Sequence, residues 1–196
     1  MADENENEYS VNREIKKAKE KCWDYSGSGG YPYTVAFSTS REIKLVGLKF
    51  YGPAKEASGS YLVRYKVVRN EEVHEEWPGL CNWIGQTFIS CVANFLDVWD
   101  VLGPGPYVRE VELYRGSSPT GLPNVNKGEI FTVRLEKPVL IQPNLMTEIK
   151  FELEGPKTEY GEVRYDPIQV LLNDDTQVTF NFLRGSCQIP EILFTV

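Results

Sequence analysis

The chain has 196 residues, which is enough for one domain that buries a hydrophobic core without disulfides or a structural metal. Its 28 acidic and 21 basic residues give a net charge of −7 at pH 7. This charge argues against nucleic acid or an anionic membrane as a partner, because either would be repelled. The acidic start is unlike a secretory signal, and the four cysteines contain no Cys-x-x-Cys pair. We therefore expect reduced thiols, no membrane span and an intracellular, cytoplasmic location.

Residues 1–21 are predicted to form a polar tail followed by a short helix. Residues 1–9 are acidic and Asn-rich, so we expect them to be disordered. Val11, Ile15 and Ala18 then recur at helical spacing, with Ser10 or Asn12 available as an N-cap. This pattern predicts a helix over residues 11–21.

From Tyr33 onward, apolar and polar residues alternate with period 2, which is typical of antiparallel strands. Strands are predicted at residues 33–38, 41–52, 61–68, 108–114, 130–135, 148–153, 168–172, 178–182 and 191–196. Turns are predicted at residues 116–119, 126–128, 142–144 and 173–175 from their Gly, Pro, Asn and Asp content. Many short strands joined by turns predict a mainly β chain with an antiparallel β-sandwich, and we place this domain at residues 22–196.

An insert at residues 75–107 interrupts the strand pattern. Apolar residues from Leu80 to Trp99 recur at i, i+3, i+4 and i+7, which predicts an amphipathic helix within residues 80–102. Two strands remain an alternative for this segment. We expect its apolar stripe to pack on its own domain, leaving Trp77, Trp83 or Trp99 partly exposed as a partner-binding ridge.

No catalytic, metal or cofactor motif stands out. His74 is the single histidine and lies in a run of glutamates without a nucleophile motif, so we expect it to be solvated. Metal-ligand spacings are missing, and the glycine-rich residues 26–30 lack a following Gly-Lys-Ser/Thr. The sequence predicts a non-enzymatic protein without metal or cofactor.

One segment in the last third of the chain is a candidate recognition loop. Residues 155–161 have a strongly specified shape, because proline fixes φ and glycine permits positive φ. A recognition edge and a purely structural corner are equally good readings of this segment. The candidate partner-binding residues here are Tyr160, Gly161 and Arg184. Residues 188–194 are predicted to be a final strand, with Ile189, Ile192 and Leu193 packing inward.

Three blocks of the sequence occur in a recognisable order: Trp23-Asp24-Tyr25-Ser26-Gly27, residues 41–52 with Ile-Lys-Leu-Val-Gly-Leu-Lys-Phe-Tyr-Gly, and residues 155–161 followed by Gln188-Ile189-Pro190-Glu191. Together they resemble the PHR domain of the Pam and Highwire ubiquitin ligases and of BTB-type substrate adaptors. The resemblance implies a jelly-roll-like antiparallel β-sandwich whose end loops bind a protein partner, such as a ligase client. The chain departs from the family pattern at the insert, and it lacks the Asn-Gly-Thr-Ser loop before Gln188.

The leading hypothesis is therefore a protein-interaction module. A small-ligand or glycan-binding β-sandwich is the alternative, because aromatic residues make up 12% of the chain and exposed rings can hold sugars. We expect most of these rings to pack in the core instead.

Overall fold

The computed structural model describes residues 7–17, 33–56, 58–73, 107–118 and 125–196. These residues contain fourteen β-strands and no helix, which confirms the prediction of a mainly β chain. In chain order the strands are β1 (Tyr9–Asn12), β2 (Glu14–Lys17), β3 (Tyr33–Thr39), β4 (Ile43–Tyr51), β5 (Ser58–Gly59), β6 (Leu62–Val73), β7 (Tyr107–Ser117), β8 (Val125–Asn126), β9 (Ile130–Ile141), β10 (Thr147–Glu154), β11 (Gly161–Val163), β12 (Ile168–Leu171), β13 (Gln177–Gly185) and β14 (Glu191–Thr195).

The strands form two main sheets. One sheet has the order β1-β14-β4-β9, and the other has the order β12-β13-β3-β10-β6-β7. Two small ribbons, β2 with β11 and β5 with β8, lie beside them. Every pair whose register is described runs antiparallel, as the period-2 pattern predicts.

The two sheets pack face to face through one hydrophobic core. Phe50 of β4 meets Phe151 of β10 edge-on, with ring centroids 5.3 Å apart. Phe180 of β13 meets Phe194 of β14 at 5.1 Å. These ring pairs join opposite sheets, which is the arrangement expected of a β-sandwich.

The predicted alternation holds over residues 61–67, whereas four consecutive residues of β14, Ile192 to Thr195, are buried. The residues at alternate positions of the β6 segment are buried, namely Tyr61, Val63, Tyr65 and Val67. Ile189, Ile192 and Leu193 are also buried, as predicted. Burial on one face explains why the strand register is well defined, since a one-residue slip would expose that face.

Three of the predicted turns adopt backbone conformations that their sequences favour. Gly128 has φ of 82°, and Asn144 and Asp175 each have φ of 60°. Positive φ is accessible to glycine and, among other residues, best tolerated by Asn and Asp. Asp175 lies in the turn of the hairpin formed by β12 and β13, whereas Gly128 and Asn144 lie in turns between consecutive strands that do not pair with each other.

Strand β9 continues well past the predicted end at residue 135. Its pairing with β4 shifts from Gly47↔Arg134 to Leu45↔Val139, so residues 135–138 bulge out of the ladder. Pro138 is exposed within this bulge, on an edge strand where the missing N–H costs no ladder hydrogen bond.

The prediction of an N-terminal helix is wrong for residues 11–17, which lie in β1 and β2 or between them. Val11 is fully buried between the exposed Ser10 and Asn12, so the segment also follows a period of 2. Pairing of β1 with β14 satisfies the backbone hydrogen-bonding groups of this segment, and this tertiary contact outweighs the weak helical spacing of its side chains. Residues 18–21 lie outside the described part of the chain.

The predicted disorder is also wrong for Glu8 and Tyr9. The Tyr9 ring stacks on Phe194 with centroids 5.7 Å apart, and the Glu8 carboxylate pairs with Arg134. Residues 9–17 therefore belong to the folded sheets rather than to a tail.

Contacts divide the chain into two units, residues 1–70 with 111–196 and residues 71–110. Within the second unit, the structure describes the end of β6 at residues 71–73 and the start of β7 at residues 107–110. The predicted insert helix at residues 80–102 lies outside the described residues and stays a prediction. In the described part of the chain, no helix is long and apolar enough to cross a membrane.

Replacing Phe180 by Ala should lower the free energy of unfolding by about 3–5 kcal/mol, because this fully buried ring contacts the rings of Phe37, Phe182 and Phe194. Leu171→Ala is the control, since Leu171 is 68% exposed and should change stability by less than about 0.5 kcal/mol. Urea denaturation measures both. Equal, small effects would contradict this account of the core.

Candidate functional site

Two loops meet at one end of the two sheets. Residues 155–161 follow β10, and residues 186–190 connect β13 to β14. The Gly161 backbone N–H donates to the Cys187 carbonyl at 3.1 Å, and the buried Gln188 side chain donates from Nε2 to Thr158 Oγ1 at 3.3 Å. We call these two segments the loop pair. The structure thus joins the two segments that the sequence singled out.

Backbone contacts fix the shape of residues 155–161. Gly155 has φ of 147°, and a Cβ there would lie 2.7 Å from the Ser60 carbonyl oxygen and 2.6 Å from the Tyr61 ring. This position therefore requires glycine. The loop is also bound to residues 52–54 by two backbone hydrogen bonds of 2.8 Å, Ala54 N–H to Lys157 O and Glu159 N–H to Gly52 O. These contacts confirm the prediction of a strongly specified shape.

Arg13 ties the N-terminal strands to the loop pair. Its backbone N–H donates to Pro190 O at 2.8 Å, and its carbonyl accepts from Arg164 N–H at 2.9 Å. Its side chain is fully buried, and Nη1 donates to the carbonyls of Ile189 at 3.2 Å and Ser186 at 3.5 Å. One residue between β1 and β2 thus contacts most of the β13–β14 connection.

Two neighbours shape the space around this guanidinium. Its central carbon lies 4.6 Å from the centroid of the Phe182 ring, which is within cation–π range. A Cβ on Gly185 would lie 2.4 Å from Arg13 Nη2, so glycine leaves the room that the guanidinium fills. Above Gly185, the half-exposed Tyr165 donates its hydroxyl to the Gly185 carbonyl at 3.2 Å.

Burial dominates the electrostatics of the cluster. It lowers the pKa of Arg13 to about 10, so the side chain remains cationic at neutral pH. The ionisable groups that oppose this shift are Tyr165, Cys187 and Tyr51, two phenols and a thiol. Burial raises the pKa of Cys187 although Arg13 acts against it, and the thiol is therefore protonated at pH 7. Cys187 forms no disulfide.

The structure places part of the predicted site. Tyr160 is half-buried at the end of the first loop, and Gly161 is buried at the start of β11. Arg184 lies in β13 opposite Ala36, directly after a register shift that begins at Phe182. The Arg184 side chain lies outside the described part. Three of the predicted partner-binding residues and the single histidine also lie outside the described part of the chain, namely Trp77, Trp83, Trp99 and His74.

Sequence reasoning missed Arg13 and Gly185. A signal for Arg13 was present, because the alternation of Tyr9, Val11 and Arg13 puts all three on one face of the N-terminal segment. No sequence pattern indicates that Gly185 lies beside the Arg13 side chain.

The described residues contain no group of three or more His, Cys, Asp and Glu side chains that could hold a metal ion. The absence of a cofactor and of catalytic activity stays a prediction. Comparison of the chain with models of protein families and with curated proteins finds no match in either.

Gly185→Ala should lower the free energy of unfolding by about 1–3 kcal/mol, because the new methyl group displaces the Arg13 guanidinium from its carbonyl acceptors. In an Arg13→Met background the same substitution should cost much less, since the methyl group then has room. A double-mutant cycle by urea denaturation measures this coupling. An equal cost in both backgrounds would show that the two residues do not depend on each other.

Proposed function

We propose that this chain is a non-enzymatic protein-interaction module and that the loop pair is its partner-binding edge. The observation that carries the proposal is a set of exposed apolar side chains around this rigid structure. Ile15 is 56% exposed, Tyr165 is 49% exposed and Leu183 is 67% exposed. Exposed apolar and aromatic groups of this kind are typical of protein contact surfaces.

Each of these three side chains belongs to a segment bound to the loop pair. Ile15 lies in β2, which pairs with β11 directly after the first loop. Tyr165 is hydrogen-bonded to Gly185, and Leu183 precedes Gly185 by two residues in β13. Because the backbone beneath them is fixed by hydrogen bonds, little backbone entropy would be lost on binding.

The proposal extends to the finer assignment, a jelly-roll-like PHR fold whose partner is a protein such as a ubiquitin-ligase client. Two facing antiparallel sheets with paired end loops support it, as do the sequence blocks at residues 155–161 and 188–191. An intracellular, cytoplasmic location is also part of the proposal and is supported by the unpaired thiol of Cys187. The net charge of −7 supports a partner other than nucleic acid.

The double substitution Ile15→Ser with Leu183→Ser tests this surface. Both side chains are largely exposed, so each change should alter stability by less than about 0.5 kcal/mol. Proximity labelling in cells identifies candidate partners, and a purified partner then gives the affinity. We expect the double variant to bind at least tenfold more weakly, a loss of about 1.4 kcal/mol.

Leu140→Ser is the matched control, because Leu140 is 47% exposed but lies on β9 in the other sheet. It should keep the wild-type partners and affinity. Unchanged binding in the Ile15/Leu183 double variant would contradict the proposed edge. Saturable binding on a glycan array, without an enriched protein partner, would instead favour the glycan-binding alternative.

A further inference from the structure

One edge of the Arg13 guanidinium makes no hydrogen bond within the described part of the chain. Its Nε and Nη2 atoms are buried and have no hydrogen-bond acceptor among the residues that the structure describes, whereas Nη1 already donates to backbone carbonyls. The N–H bonds of Nε and Nη2 are nearly parallel in a planar guanidinium. Together they can donate two parallel hydrogen bonds to the two oxygen atoms of one carboxylate.

We propose that this edge of Arg13 is a binding site for a carboxylate, held by parallel hydrogen bonds from Nε and Nη2. A buried guanidinium needs an anionic partner, because burial without one leaves its charge uncompensated. The ionisable groups whose charges act on Arg13 are the phenols of Tyr165 and Tyr51 and the thiol of Cys187, and none of them is a carboxylate. A bound carboxylate would provide both the missing charge and the two missing acceptors.

Two further groups define the chemistry of the site. The Tyr51 hydroxyl is buried and interacts electrostatically with Arg13, and the Glu14 carboxylate beside it can accept its hydrogen bond. The carboxylate of Glu14 lies near Tyr51 and acts against binding of an anion there. Together with the net charge of −7, this repulsion leads us to expect millimolar affinity for a small free carboxylate.

Entry to the site is expected beside Tyr165. Its ring is half exposed, and one hydrogen bond of 3.2 Å to Gly185 is the contact that rotation of this side chain would break. Gly185 and Cys187 next to it are also partly exposed. One face of the guanidinium is covered by the buried Phe182 ring.

Acetate titration of the ¹⁵N-labelled wild-type protein tests the site, because NMR observes the Arg13 Nε–H resonance directly. Ionic strength is held constant by replacing chloride with acetate. We expect a saturable change of this resonance with one acetate bound, while acetamide, which has the same shape without the charge, produces none. Arg13→Gln should weaken acetate binding at least tenfold, and Arg134→Gln, which removes an exposed arginine of β9, should leave it unchanged.

A non-saturable response, or an equal response to acetamide, would overturn the proposal on wild-type protein alone, even if Arg13→Gln fails to fold. Short peptides with free or amidated C-termini distinguish the source of the ligand. Binding of acetate but of neither peptide indicates a free carboxylic acid, and preference for the free C-terminus indicates a protein carboxylate. The inference does not depend on the proposed function, because the Ile15 and Leu183 substitutions test partner binding separately.

Discussion

The aromatic contact between the two sheets is the interaction on which the rest of the structure depends. Phe50 and Phe151 meet across it, as do Phe180 and Phe194, and all four rings are fully buried. Because these rings set how β13 and β14 lie against β4 and β10, they also set where the connections at the strand ends must run. The loop pair is therefore a consequence of core packing before it is a candidate binding edge.

Arg13 adds a second, more costly constraint. Lowering the pKa of Arg13 from 12.5 to about 10 corresponds to a loss of about 3 kcal/mol in the free energy of unfolding at neutral pH. Below pH 10, Arg13 is protonated in both the folded and the unfolded chain, so the full loss of stability is present. Between pH 10 and 12.5 the unfolded chain binds a proton that the folded chain does not, and the loss of stability therefore decreases as the pH rises. Hydrogen bonds to Ile189 and Ser186 and the Phe182 ring offset part of this cost. The guanidinium also holds the β13–β14 connection in place. A bound carboxylate would offset more of the cost of burying it.

Period-2 patterning predicts most of the sheet residues, because a strand with one buried face repeats every second residue, as Tyr61, Val63, Tyr65 and Val67 do. The same reasoning failed for the N-terminal segment, for which a helix was predicted. Its short alternation competed with a helical spacing, and pairing with β14, a contact distant in sequence, decided the outcome.

The candidate site was predictable in part. Glycine and proline mark residues 155–161 as a loop of fixed shape, and this was readable from the sequence. Its contact with residues 186–190 depends on tertiary hydrogen bonds, and the exposure of Ile15 and Leu183 follows from register shifts in β11 and β13 that no local pattern encodes. The PHR resemblance and the insert at residues 75–107 remain predictions.

Amide hydrogen exchange in an Arg13→Lys variant tests most directly whether Arg13 holds the loop pair in place. Lysine keeps the charge but cannot reproduce the planar set of donors. We predict that the amides of Gly161 and Arg164, which donate across this junction, exchange at least tenfold faster than in the wild type, while the core amide of Ile149 exchanges at its original rate. Unchanged exchange at Gly161 and Arg164 would contradict the role of Arg13 in holding the loop pair.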